Sequence, residues 1–196
     1  MSVKRKFKWI FGTEKINIVA FRALEMAIIQ DMLNRGKTPV EIRSFMESLG
    51  RYFGDLLYIH YHISGGDVAR DVLDIGKIAN SFYVFLFGER IDKIYFELNG
   101  NSKSILLHLI SYDGMPTCRG AVSPHPEIKL GSFIIGGINR ILEIKKSELE
   151  FIAARCWEQK CVSVGDDICE VIIQFEIRED VFNALKEKYG GIINVK

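Results

Sequence analysis

The 196-residue chain has no excess of one charge: 26 Lys and Arg stand against 25 Asp and Glu, a formal net charge of +1. Without a basic field to draw it onto a phosphate backbone or an anionic lipid surface, the chain is not expected to have a nucleic-acid partner. It also lacks a long apolar run. The longest, Phe82 to Phe87, falls far short of the roughly 20 residues that cross a bilayer, so no transmembrane segment is expected. Lys4-Arg5-Lys6 is followed by Phe7 to Phe11, which Lys8 interrupts and which is too short for a signal-peptide core. The expected location is cytoplasmic. Four Pro leave little room for stiff linkers, and a hydrophobic share of 48% excludes disorder of the whole chain. Four cysteines, Cys118, Cys156, Cys161 and Cys169, read as free thiols or metal ligands before they read as a disulfide framework.

The chain reads as a single domain over residues 1–196, with no low-complexity tract and no internal repeat. Residues 1–90 form a strand and helical half. Phe7, Trp9 and Phe11 alternate with Lys6 and Lys8 as in a strand. A first helix spans about Asn17 to Asn34, with Phe21, Leu24, Ile28 and Met32 at helical spacing and Gly36 placed to stop it. Thr38-Pro39-Val40-Glu41 opens a second: Thr38 caps, Pro39 suits the first helical position, and Glu41 reaches back as in a capping box. Its expected buried stripe is Ile42, Phe45, Met46, Leu49, Phe53, Leu56, Leu57 and Ile63, with Glu47, Arg51 and Asp55 on the wetter side. Gly50 and Gly54 make a flat patch where another backbone can approach. A third helix is expected from about Asp67 to Phe87.

Residues 91–178 change period to two hairpins separated by a glycine-rich helix. Ile94, Phe96 and Leu98 alternate, Asn99-Gly100 turns, and Ser104 to Ser111 returns. Pro116 to Pro126 is a loop, and the glycine-rich helix runs from about Ile128 to Leu142. In the second hairpin, Leu149, Phe151, Ala153 and Trp157 share one strand face, and Val171, Ile173, Phe175 and Ile177 share one face of the partner strand. Residues 179–196 hold a last helix, Glu179 to Tyr189, and a tail. The expected fold is α+β, an antiparallel sheet of about four strands covered by helices.

If the second hairpin bends at Gly165, residues whose numbers sum to 330 face each other. Cys161 then opposes Cys169, on the face of Trp157 and Ile173. Such a pair is open to three readings: two small apolar side chains in a core, a cross-strand disulfide, or a shared metal. Glu158, three residues before Cys161, falls on the opposite face of a regular strand and joins the thiols only if a bulge lies near Gln159 or Lys160. His60 and His62, two apart on a helix, diverge and do not chelate one ion, and His108 reads as a structural histidine in an apolar strand.

Trp157-Glu158-x-x-Cys161-x-x-x-Gly165-Asp166-x-x-Cys169 resembles the signature of the 4-vinyl-reductase domain family, a small-molecule-binding domain related to the Bet subunits of the TRAPP vesicle-tethering complex. Upstream, Leu49-Gly50-x-x-x-Gly54-Asp55-Leu56-Leu57 and Gly131-Ser132-Phe133-Ile134-Ile135-Gly136-Gly137 resemble the glycine helices of the TRAPP relatives, so the likeness runs from about Asn17 to Ile177 in a stand-alone, archaeal-type form. The resemblance implies an apolar channel between helices and sheet, a hydrophobic small molecule or acyl group as ligand, and a homodimer. It implies zinc on Glu158, Cys161 and Cys169, with the fourth position open to Cys118, Cys156, His125 or water. Phe53, Phe82 and Trp157 are the expected pocket lining. A 4-vinyl-reductase-like enzyme of tetrapyrrole metabolism and a dimeric interaction scaffold, joined through the Gly-x-x-x-Gly helix, are the alternatives. An enzyme is the less favoured, because no nucleotide or flavin fingerprint supplies a hydride donor.

Overall fold

The structure is a computed structural model that describes residues 18–63, 72–146, 148–149 and 151–195; of residues 60–63, 82, 85 and 86 only the backbone is described. The expected strand at Lys6 to Phe11 lies outside these residues. Helices α1 (Ile18–Asn34), α2 (Pro39–Ile63) and α3 (Asp74–Phe87) come first. Then follow strands β1 (Lys93–Asn99) and β2 (Ser104–Ser111), helix α4 (Ser132–Lys145), strands β3 (Ala153–Lys160) and β4 (Cys169–Glu176), helix α5 (Glu179–Tyr189) and strand β5 (Ile192–Asn194).

Five strands, not about four, make one antiparallel sheet in the order β3-β4-β2-β1-β5. The additional strand comes from the tail. Gly190, at φ +75°, ends α5, and Ile192 to Asn194 pair with Glu97 to Tyr95. One face of the sheet carries the core: Ile94, Phe96, Ile105, Leu107, Leu109, Val171, Ile173 and Phe175 are all buried and lie on the same side by register. The other face is set by Tyr95, His108 and Ile172 in one row, with Trp157 paired to Ile172. Trp157 therefore stands on the face away from Ile173, which pairs with Cys156. The expected facing assumes one regular register with numbers summing to 330; Lys160↔Glu170 keeps it, but the shift at Gln159 moves the rest of β3 by one residue and so turns Trp157 to the other face.

The start of α2 follows its capping box. Thr38 N–H donates to Glu41 Oε2 at 2.9 Å, and Glu41 N–H donates to Thr38 Oγ1 at 3.3 Å. Its rotation differs from the expected one. Ile42, Met46 and Leu57 are buried, whereas Phe45, Leu49 and Leu56 face solvent. The cause is glycine. A Cβ on Gly50 would overlap the Phe133 carbonyl, one on Gly54 would meet the Gly137 carbonyl at 2.7 Å, and one on Gly136 would overlap the Glu47 carbonyl. The glycine face of α2 is thus seated on the glycine face of α4, backbone on backbone, and Arg51 and Asp55 pair with Glu143 (2.5 Å) and Arg140 (2.7 Å) along the seam. This corrects the expectation that the Gly-x-x-x-Gly face joins two copies of the chain: it is spent inside one chain.

Candidate metal centre

Three stretches meet at the end of the inner sheet face. In β3, the pairing Glu158↔Val171 is followed by Lys160↔Glu170, so the register shifts at Gln159. That is the bulge needed to bring Glu158 to the side of Cys161. Lys129 holds it open, donating from Nζ to the Glu158 carbonyl at 2.8 Å and to the Gln159 carbonyl at 2.7 Å. After the bulge a single 3-10 turn, Val162–Val164, and Gly165 at φ +102° return the chain to Cys169. Asp166 fastens this bend by accepting from Cys161 N–H at 2.7 Å.

The third stretch is the loop after β2. Ser111 pairs with Cys169, and its hydroxyl donates to the Gly114 carbonyl at 3.1 Å, turning the chain back across the hairpin. Cys118 N–H then donates to the Met115 carbonyl at 2.8 Å and closes the turn that carries the thiol inward. From α1, Arg22 reaches over this loop and donates to the carbonyls of Pro116 (2.6 Å) and Thr117 (3.1 Å).

The result is a cluster in which one donor atom each from Cys118, Glu158, Cys161 and Cys169 lies within 4.8 Å of every other. Cys118 and Cys161 Sγ are 3.3 Å apart, and Cys118 Sγ is 3.8 Å from Glu158 Oε1. All three thiols are buried. Donors surround the set: Val162 N–H reaches Cys169 Sγ at 3.5 Å, Ser163 Oγ lies 3.0 Å from Cys161 Sγ, and Gly131 N–H donates to Glu158 Oε2 at 3.1 Å. Gly131 immediately precedes α4, so the positive end of that helix faces the carboxylate. A Cβ at 131 would overlap the Glu158 carboxylate, which is why glycine stands there.

The electrostatics favour a cation among these donors. Hydrogen bonds from Cys118 and Cys161 hold the Cys169 thiol well below its usual range, with backbone N–H groups of Met115 and Val162 adding to the effect. The same network pushes the Cys118 thiol up, helped by burial and by Glu158. Burial, and then the nearby Cys161, push Glu158 up as well. Three thiols and a carboxyl crowded together out of water cannot all ionise alone; a divalent cation lets them do so. An ion about 2.3 Å from each sulfur in a tetrahedron spaces the sulfurs about 3.8 Å apart, which the cluster meets with small movements. The residues therefore fit a metal ion, with Cys118 as the fourth donor.

The other expected residues fall elsewhere. Cys156 lies on the inner face of β3 outside the cluster, its backbone clasped by Asn139, which donates to its carbonyl at 3.2 Å and accepts from its N–H at 2.7 Å. His125 Nδ1 accepts from Glu127 N–H at 3.2 Å, apart from the thiols. Phe53 packs at 5.1 Å on Phe133, which also receives Phe21 at 5.2 Å. The side chain of Phe82 lies outside the described residues. Trp157, on the outer sheet face beside Arg155, does not line a space between helices and sheet. His108 is buried there too, its Nδ1 2.9 Å from Glu170 Oε1 and its ring stacked on Tyr95. Sequence reasoning missed Glu25, a buried acid of α1 whose two carboxyl oxygens have no hydrogen-bond partner among the described residues. Its signal was present: Phe21, Glu25 and Ile29 are four apart on the stripe that packs inward.

The fold and the cluster together define an α+β domain with a Cys3Glu cluster whose thiols are buried. Neither a protein-family model nor a curated protein matches the chain. Among solved structures it is similar to a trafficking protein particle complex subunit 3 from Naegleria fowleri, covalently bound to palmitic acid, at 21% identity and TM-score 0.62 over 85% of this chain and 100% of that one. That likeness shows a TRAPP-subunit-like fold. A vinyl-4-reductase family protein from Methanocaldococcus jannaschii also matches, at 16% identity and TM-score 0.42 over 87% of this chain and 88% of that one. An H-NOX protein from S. oneidensis in the Fe(II)NO ligation state matches at 19% identity and TM-score 0.40 over 77% of this chain and 73% of that one. No helix among the described residues is long and apolar enough to cross a membrane.

Proposed function

We propose that this chain is a binding domain for a hydrophobic small molecule or acyl group, with zinc on Cys118, Glu158, Cys161 and Cys169 holding the last hairpin against the loop after β2. The observation that carries the reading is the convergence of three buried thiols and one half-buried carboxylate from three separate stretches, each positioned by its own backbone device. Four protein ligands leave no open position, so the metal is structural, and soft thiolates with one carboxylate suit zinc. For the ligand, the support is the fold shared with a protein that carries palmitic acid. Here three thiols belong to the cluster, and the fourth, Cys156, is buried with its thiol pushed up by burial. A covalent acyl link is thereby disfavoured and the ligand is held non-covalently, with Phe53 in its lining. The test is metal content of tag-free protein beside Cys161→Ser and Cys169→Ser. Near-stoichiometric zinc, lost in both variants, supports the reading; metal-free folded protein overturns the zinc assignment.

A second reading, an interaction scaffold, is favoured by one observation. Phe45, Leu49, Tyr52, Leu56 and Ile59 on α2 are 46%, 37%, 72%, 58% and 51% exposed, and their spacing alternates four and three. That is the seam spacing of a helix that meets another helix. A homodimer through this stripe predicts that Tyr52→Glu yields a monomer by sedimentation while metal content stays unchanged.

A further inference from the structure

Glu25 is 2% exposed, and among the described residues neither of its carboxyl oxygens has a hydrogen-bond partner. It sits in the middle of the inward stripe of α1, between Phe21 and Ile29. Phe21 stacks edge-on against Phe133, and Phe133 lies in the first turn of α4, two residues after Gly131, whose N–H holds Glu158. One turn before Glu25, Arg22 is anchored to the loop that carries Cys118. An apolar, aromatic surface and a single unsatisfied acid thus lie side by side next to the metal centre. Native proteins rarely leave a buried polar group unpaired, and where they do a ligand or water commonly supplies the partner.

The surroundings decide what that partner is. Burial, followed by the charges of Glu158 and Cys161, pushes Glu25 up to about 9, and Arg22, the nearby cation that opposes them, is engaged with two carbonyls. A divalent ion on three thiolates and a carboxylate leaves a formally negative centre. An incoming carboxylate meets the negative charge of this centre, whereas an alcohol or an amine meets an unpartnered carboxyl that accepts a hydrogen bond when neutral and pairs with an ammonium when ionised.

Resting on the binding-domain reading, we propose that Glu25 is the polar anchor of the ligand site and selects an apolar molecule headed by a hydrogen-bond donor, an amine or an alcohol, over a fatty-acid carboxylate. The amine adds charge complementarity; the alcohol shares the hydrogen bond alone. The experiment is displacement of N-phenyl-1-naphthylamine from the metal-loaded full chain by 1-nonylamine, 1-nonanol and nonanoate, which share one tail. In the parent, amine and alcohol displace the probe at least about tenfold better than nonanoate, and Glu25→Leu brings the three within about threefold of one another. Glu25→Gln retains nonanol and loses the advantage of the amine. Retained metal content and far-UV circular dichroism show that the variants are folded. Nonanoate binding as well as nonanol in the parent, or an unchanged order in Glu25→Leu, overturns the role of Glu25 and leaves the binding domain standing. A parent that binds neither probe nor competitor overturns both.

Discussion

Gly131 N–H donates to Glu158 Oε2 at 3.1 Å from the threshold of α4, and the space a Cβ would need at 131 is the space the carboxylate occupies. One glycine therefore joins the glycine-rich helix to the hairpin site. Gly131→Ala pushes the carboxylate off its donor and off the ligand set without touching a thiol. Zinc affinity, read by competition with a chromophoric chelator, is expected to fall about 10- to 100-fold, the range for groups that orient a metal ligand. Glu158→Gln falls at least as far. An alanine variant with the parent's affinity would show that Glu158 is not in the set.

The acid on α1 gives the fold a pH dependence of known sign. Glu25 titrates at about 9 in the folded chain and near 4.5 unfolded, so between these values the native state holds a proton that the unfolded state has lost. Stability from this group is complete below about 4.5 and declines as pH rises toward 9, with a slope approaching about 1.4 kcal/mol per pH unit. Urea midpoints at pH 5.5, 7 and 8.5 are expected to show the parent losing ground to Glu25→Gln as pH rises. Glu25→Leu is expected to exceed the parent in stability throughout, since it removes a buried polar group that no neighbour satisfies. Parallel profiles for parent and Gln variant would mean that Glu25 finds solvent.

Much of this architecture was legible because it rests on local chemistry. Thr38 and Glu41 announce a helix start by themselves, and one bend gives the pairing Lys160↔Glu170, while the shift at Gln159 displaces the rest of β3 by one residue from that register. The bulge was legible as a requirement of Glu158 before it was seen at Gln159. What could not be read depends on distant partners. Cys118 stands 13 residues before Gly131 in a loop without period, and only the Ser111–Gly114 turn brings it over Cys169. Strand β5 is three residues long, too short to show alternation, and pairs at the far edge of the sheet. The rotation of α2 was misjudged because a face that seats against another backbone needs small residues, not apolar ones, and so leaves no hydrophobic stripe to count.

That seat makes the glycines unequal. Gly100 and Gly191 have open space where a Cβ would go, while Gly50 and Gly136 have a backbone carbonyl inside that space. Gly50→Ala and Gly136→Ala are each expected to cost about 2–3 kcal/mol in chemical denaturation, because α2 and α4 must separate along their shared seam. Gly191→Ala is expected to stay within about 0.5 kcal/mol of the parent. Equal, small effects at all three positions would mean that the two helices do not meet on their glycine faces.

Lys129 separates the geometry of the site from its chemistry, because it ligates nothing and only ties the carbonyls of Glu158 and Gln159 together across the bulge. Lys129→Met keeps the stem and removes the ammonium. The bulge then loses its clasp, Glu158 relaxes toward the alternate face, and the site falls back on three thiols. Zinc affinity is expected to drop about tenfold with a stability change near 1 kcal/mol. The pH dependence of binding should persist: Cys118 and Glu158 are both held above their usual values without metal, so binding releases protons and weakens as pH falls. Calorimetry in two buffers of different ionisation enthalpy measures that release. An affinity indifferent to pH between 6 and 8 would mean that the thiols are not the ligands.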